Sequence, residues 1–144
     1  MILLDTCVVS EALKPSPEPR VLQWLGSLNE DEVFLPSLVL GELRKGIDLM
    51  PAGNRRSALL LWLVQLQERF RARTLAFDAE TAARWGELQA AQLQSGTPVP
   101  VIDSLLAATA LKHGAVLATR NTVDFERTGV AVFDPWGESS STEN

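Results

Sequence analysis

Four acidic residues stand where alternating strands and helices would bring them to one place: Asp5, Glu42, Asp103 and Asp124. Asp5 closes the apolar run Met1-Ile2-Leu3-Leu4, and Asp103 opens the apolar stretch that runs on through Leu105-Leu106-Ala107-Ala108. Carboxylates held side by side repel, and such a cluster makes physical sense chiefly when it holds divalent cations. An all-oxygen donor set suits a hard ion, Mg²⁺ or Mn²⁺. Two such ions roughly 3.5–4 Å apart can generate hydroxide, fix an in-line attack on a phosphate and stabilise the leaving oxygen. The rest of the composition points the same way. Cys7 is the only cysteine and His113 the only histidine, which excludes a disulfide framework, a Cys/His zinc site and any Cys-His or Ser-His pair not built on His113.

Other chemistries have weaker footholds. An Asp after the first strand also fits a phosphoaspartyl phosphatase or a receiver domain. The phosphatase needs a second Asp where Cys7 stands, and the receiver needs an acidic pair after strand one and a Lys after a late strand, both missing. Neither a G-x-G-x-x-G nor a Walker P-loop occurs. Each acid has a structural alternative as well: Asp5 and Asp103 as helix caps, Glu42 paired with Lys45 on a wet surface, Asp124 closing an Asx turn.

The elements that must position these residues follow from pattern. With 144 residues, 46% of them hydrophobic, the chain can build one core and is too short for two full domains. Apolar runs predict strands at Met1–Leu4, Val33–Leu35, Thr74–Phe77, Val116–Ala118 and Val130–Phe133. Helices are expected over Val8–Leu13, around Val21–Leu25, from a Ser37 N-cap through a Leu40, Leu43, Ile47 and Met50 stripe, and from Asn54 to about Arg71. Two more are expected, one behind an Asp78 cap and carrying Ala82, Trp85 and Leu88, the other running from about Val101 to near Gly114. Strands alternating with helices indicate an α/β fold, a parallel sheet with helices on both faces, whose sites form beyond the carboxyl ends of the strands. The polar segment 137–144 reads as a disordered tail, and no apolar run approaches a membrane span, so the expectation is a soluble, cytoplasmic protein.

The formal net charge of -5 excludes nonspecific coating of nucleic acid by bulk charge, so any such contact must be local. Between Arg44 and Arg84, eight basic residues face four acidic ones, leaving +4 there and -9 elsewhere. This is either a basic face for a polyanion or a set of solvated helix faces. Trp24, Trp85 and Trp136 are read as core rather than as base-stacking platforms, and Cys7 and His113 as having no chemical role.

Four segments in order carry a family resemblance: Ile2-Leu3-Leu4-Asp5-Thr6-Cys7-Val8-Val9-Ser10-Glu11, Leu38-Val39-Leu40-Gly41-Glu42-Leu43-Arg44-Lys45-Gly46, Asp103-Ser104-Leu105-Leu106-Ala107-Ala108-Thr109-Ala110, and Thr119-Arg120-Asn121-Thr122-Val123-Asp124-Phe125. Together they resemble a PIN domain, specifically the VapC toxins of the FitB-like group, across Met1 to about Pro135. The resemblance implies a single PIN domain over 1–136, a three-layer α/β/α sandwich around a mainly parallel sheet of about five strands. It implies a Mg²⁺ or Mn²⁺ site for RNA cleavage at Asp5, Glu42, Asp103 and Asp124, with Thr6, Ser104, Thr119 and Asn121 orienting ligands or the attacking water. It also implies a homodimer and a small antitoxin that blocks the cleft and binds operator DNA. The helix from Asn54, with Leu59, Trp62, Leu63 and Leu66, is a candidate surface for such contact, with a core role the alternative favoured for at least half of these residues. The competing reading keeps the fold without catalysis, as a noncatalytic binding protein whose acidic cleft holds a partner's basic segment.

Overall fold

The computed structural model describes residues 1–137; apart from Gly137, the tail read at 137–144 lies outside the described residues. The chain begins with β1 (Ile2–Leu4), α1 (Thr6–Glu11), α2 (Pro19–Ser27), β2 (Val33–Pro36) and α3 (Ser37–Asp48). It continues through α4 (Asn54–Arg69), β3 (Thr74–Leu75), α5 (Ala79–Ser95), α6 (Val101–His113), β4 (Val116–Ala118), α7 (Thr122–Glu126) and β5 (Val132–Phe133). All strand pairings are parallel, in the order β3-β2-β1-β4-β5. The chain thus winds outward from β1 to β3, crosses back along α5 and α6, and winds outward again on the other side. That reversal places a switch point between β1 and β4, where an open parallel sheet leaves a crevice at its carboxyl edge.

Register makes the crevice specific. Leu4 pairs with Ala118, so the next residues, Asp5 and Thr119, emerge side by side. The Asp5 amide still donates to the Ala118 carbonyl at 3.0 Å, and the Thr119 amide to the Phe133 carbonyl at 3.0 Å. Beneath them Leu3, Leu35 and Leu117 are wholly buried, with Val8, Val21, Val39, Leu106 and Phe125 packed over them from the helices. Helices α1, α3 and α4 pack together, as do α5, α6 and α7, giving the α/β/α sandwich. Gly114, at φ +60°, takes the left-handed conformation that ends α6 and turns the chain into β4 within two residues. Among the described residues no helix is long and apolar enough to cross a membrane.

Several boundaries differ from the sequence-based expectation, each for a local reason. Helix α1 starts at Thr6 rather than Val8 because the Asp5 side chain caps it. Ser37 is not a cap: β2 runs directly into α3, so Pro36 holds the N-cap position without a side-chain bond. The buried stripe of α3 is Val39, Leu43 and Ile47 rather than the one running from Leu40 to Met50, which leaves Glu42 on the partly exposed side. Strand β3 ends at Leu75, opposite Pro36, which has no N–H to extend the ladder. Strand β5 is shorter than read, although Val130 is still buried.

Since Leu117 is wholly buried at the centre of the sheet, Leu117→Ala is expected to cost roughly 2–5 kcal/mol of unfolding free energy. Leu61→Ala, at a position 59% exposed, is expected to stay within about 0.5 kcal/mol. Urea denaturation of the two variants beside wild type checks the contrast.

Candidate metal centre

Asp5 reaches the crevice from the end of β1, Glu42 from the second turn of α3, Asp103 from the first turn of α6 and Asp124 from α7. Asp5 is the most buried of them, 8% exposed. It does two jobs at once: Oδ1 accepts the Thr6 amide at 2.7 Å, capping α1, while Oδ2 accepts the Thr119 hydroxyl at 2.8 Å. Asn is as good a cap as Asp, so the cap alone does not require the charge.

A continuous line of hydrogen bonds joins the four acids. The Thr6 hydroxyl donates to Glu42 Oε1 at 2.6 Å, so Thr6 links Glu42 to Asp5. Thr119 links Asp5 to Asn121, whose amide N–H donates to Thr119 Oγ1 at 3.0 Å. The Asn121 side-chain amide then donates to Asp103 Oδ2 at 3.0 Å and to Asp124 Oδ2 at 3.1 Å. Every donor in this line is neutral. Among the described residues no Lys or Arg forms an ion pair with any of the four acids, and Glu42 takes Thr6 rather than Lys45 as its partner.

Burial and uncompensated charge act together on Asp103. Burial first, then the charges of Asp5, Asp124 and Glu42, push its carboxyl up to about 6, against a smaller lowering from the Asn121 bond. Cys7 adds a weak contact, its Sγ lying 3.7 Å from Asp5 Oδ2. Burial and then the Asp5 charge push this thiol up to about 11, so it stays protonated and is a neutral neighbour rather than a nucleophile. The position two residues past a helix cap was the only sign of that contact in the sequence.

Of the supporting residues expected from sequence, Thr6, Thr119 and Asn121 touch the acids and Ser104 does not. The buried Ser104 hydroxyl faces α5, where it accepts Trp85 Nε1–H at 2.9 Å and Gln89 Nε2–H at 2.8 Å, and it donates to the Val101 carbonyl at 2.6 Å. Trp85 and Gln89 were not singled out as neighbours of the site by sequence, since nothing local shows which helix a serine faces. Three of the four tryptophans have structural roles here: Trp85 holds Ser104, Trp24 stacks on Phe133 at 5.1 Å, and Trp136 is buried beneath the Arg120 guanidinium.

Among the described residues, no three His, Cys, Asp or Glu side chains close a ready-made coordination shell. The donors nonetheless fit a hard divalent cation: all are carboxylate oxygens, unpaired with any basic group, and Asp103 carries the strain of their repulsion. The Asn121 amide bridges Asp103 and Asp124 and holds the two carboxylates side by side.

An open parallel sheet with four carboxylates gathered at its switch point defines the class. The chain belongs to the PIN domain family, whose model matches residues 2–131. It is 39% identical to Toxin FitB of Neisseria gonorrhoeae over 94% of this chain and 99% of that one. It is 36% identical to VapC ribonuclease Y4jK of Sinorhizobium fredii, covering 94% of this chain and 98% of that one. Among solved structures it is similar to that of FitAB bound to an IR36 DNA fragment, with a TM-score of 0.90 at 38% identity, over 94% of this chain and 96% of the other.

The raised Asp103 carboxyl has a sign that can be tested without a cation. Its folded value, about 6, lies above the 3.8 of an ordinary aspartate, so the stability that protonation gives is fully present below about 3.8 and is lost as pH rises through 6. Asp103→Asn is therefore expected to raise the melting temperature of the metal-free protein at pH 7.5. The gap should narrow toward pH 4.5; calorimetry across that range measures it, and an Asn variant less stable at pH 7.5 than wild type contradicts it.

Proposed function

We propose that this protein is a divalent-metal-dependent endoribonuclease, the toxin of a type II toxin–antitoxin pair, acting in the cytoplasm as a homodimer. The observation that carries the metal part is the cluster of four carboxylates in one hydrogen-bonded line with no basic partner among the described residues. The RNA and toxin parts are supported by the names of its relatives, a VapC ribonuclease and Toxin FitB.

Asp5, Glu42, Asp103 and Asp124 are the residues that would hold the cation, Mg²⁺ or Mn²⁺. A divalent ion bound there would offset part of the carboxylate charge and would supply Lewis-acid activation of phosphate oxygen and water. The chain's own part is preorganisation. Thr119 and the α1 amide hold Asp5 from both oxygens, and Thr6 sets Glu42 beside it. Asn121 keeps Asp103 and Asp124 together while their charge is otherwise unopposed. Asp103 must give up its proton before it can serve as a ligand, so cation affinity is expected to weaken as pH falls below about 6.

The partner reading has a surface to match it. Among the described residues, Trp62 and Leu66 of α4, with Leu25 and Leu28 at α2 and Phe70, line a cavity of about 410 Å³. Leu63 is core, so only part of the apolar row read on α4 is free for a partner's apolar segment. Leu66→Glu is expected to weaken co-purification with the proposed antitoxin while leaving RNA cleavage within about twofold. An unchanged complex would remove this groove from the interface.

The central test is cleavage of a mixed structured-RNA pool by the partner-free protein, with Mn²⁺ or Mg²⁺ and with chelator. Asp5→Asn and Asp103→Asn should each lower metal-dependent cutting by at least about a hundredfold, the scale of removing a group that acts at the reacting centre. Asp5→Asn should remain folded, because Asn keeps the α1 cap although it gives up the acceptor for the Thr119 hydroxyl. Mn²⁺ binding without cutting, together with tight binding of an arginine-rich peptide, would favour a noncatalytic cleft.

A further inference from the structure

Asp103 is the acid with the least direct support from the sheet. Asp5 follows β1 directly, Glu42 stands on the helix that continues β2, and Asp124 stands on the short helix just beyond β4. Asp103 instead lies in the first turn of α6, behind Pro100, which provides no side-chain cap. First turns of helices lack internal partners for their amides and fray readily. This one also carries a carboxylate repelled by Asp5, Asp124 and Glu42.

The adjacent Ser104 hydroxyl has one proton and two acceptor sites, and the structure uses all three. Its proton goes to the Val101 carbonyl of the same turn, and its acceptor sites take Trp85 Nε1–H and Gln89 Nε2–H, one turn apart on α5. A serine bonded only to Val101 would satisfy burial. Two converging donors from a second helix do more, because they fix the rotation of the α6 first turn about its axis, and with it the direction in which Asp103 leaves the helix.

We propose that Trp85 and Gln89 are positioning residues for Asp103: through the Ser104 hydroxyl they lock the first turn of α6 so that the Asp103 carboxylate is held at the cation site. This rests on the metal reading above. It assigns α5, which contributes no acid, a role in metal affinity, and gives Ser104 a role that does not involve touching ligand or water.

The test is Mn²⁺ affinity, read by electron paramagnetic resonance of free Mn²⁺ at pH 7.5, with melting temperature and RNA kinetics alongside. Trp85→Phe keeps the ring and removes the donor, Gln89→Met keeps the length and removes the donor, and Ser104→Ala removes the hub. Each is expected to raise the Mn²⁺ Kd by about tenfold, the low end for lost support behind a metal ligand, and to lower kcat with KM for RNA within about twofold. Trp85→Phe added to Ser104→Ala should cause no further loss, because both act through one hydroxyl. Gln92→Met is the control. Gln92 is a buried α5 residue that donates to the Arg127 carbonyl instead, so this change should lower stability and leave Mn²⁺ affinity unaltered.

Variants that melt lower yet bind Mn²⁺ within twofold of wild type would overturn the assignment, as would a full additional loss in the double variant. A wild type that binds no Mn²⁺ overturns the metal reading first, and this assignment with it.

Discussion

Repulsion between carboxylates is the constraint around which this molecule is organised. Burial, and after it the charges of Asp5, Asp124 and Glu42, raise the Asp103 carboxyl, yet none of the four acids is neutralised by a basic side chain among the described residues. A protein that needed these residues only for structure would place Lys or Arg among them, since unpaired like charges in a half-buried site cost stability. Here the compensation comes from neutral donors, the hydroxyls of Thr6 and Thr119 and the amides of Thr6 and Asn121. Neutral donors orient carboxylates without cancelling their charge, which leaves the site attractive to a cation.

The sheet makes that arrangement possible. Parallel strands point their carboxyl ends one way, and the reversal between β3 and β4 opens a gap beside β1. Residues just past paired strand ends inherit the precision of the ladder, so Thr119 meets Asp5 because Ala118 meets Leu4. Elements farther from the sheet need other support: Glu42 has Thr6, Asp124 has Asn121, and Asp103 has Asn121 on one side and the Ser104 contacts with α5 on the other.

Much of this was legible in the chain because it depends on local signals. Short apolar runs marked β1, β2 and β4, the first ending in Asp5, and the helix apolar nearly all round proved to be the buried α6. Asp5 was placed by its strand end, whatever the details of packing, whereas Glu42, Asp103 and Asp124 stand on helices that the topology brings to the same edge. Legibility failed where the deciding contact was nonlocal. Ser104 follows Asp103 in sequence but faces α5, and helix rotation is set by packing that no single segment records. Likewise Asp5 as cap and Asp5 as site residue looked like alternatives, but a carboxylate has two oxygens and here each serves one role.

Charge also limits how such a cleft can meet a polyanion. The segment from Arg44 to Arg84 looked basic, yet Arg44, Arg56, Arg69, Arg71 and Arg73 are tied to Asp48, Glu30 or Glu68. Arg73 also bonds the Glu30 and Val33 carbonyls, so it anchors the entry to β2 rather than presenting charge to solvent. Lys45 remains near the acids, lining a cavity that Glu42 also lines. A chain of net charge -5 with four unpaired carboxylates in its crevice repels a phosphate backbone at the point where chemistry would occur. On the proposed reading a bound divalent cation would offset that negative field, so metal loading and substrate approach would be coupled.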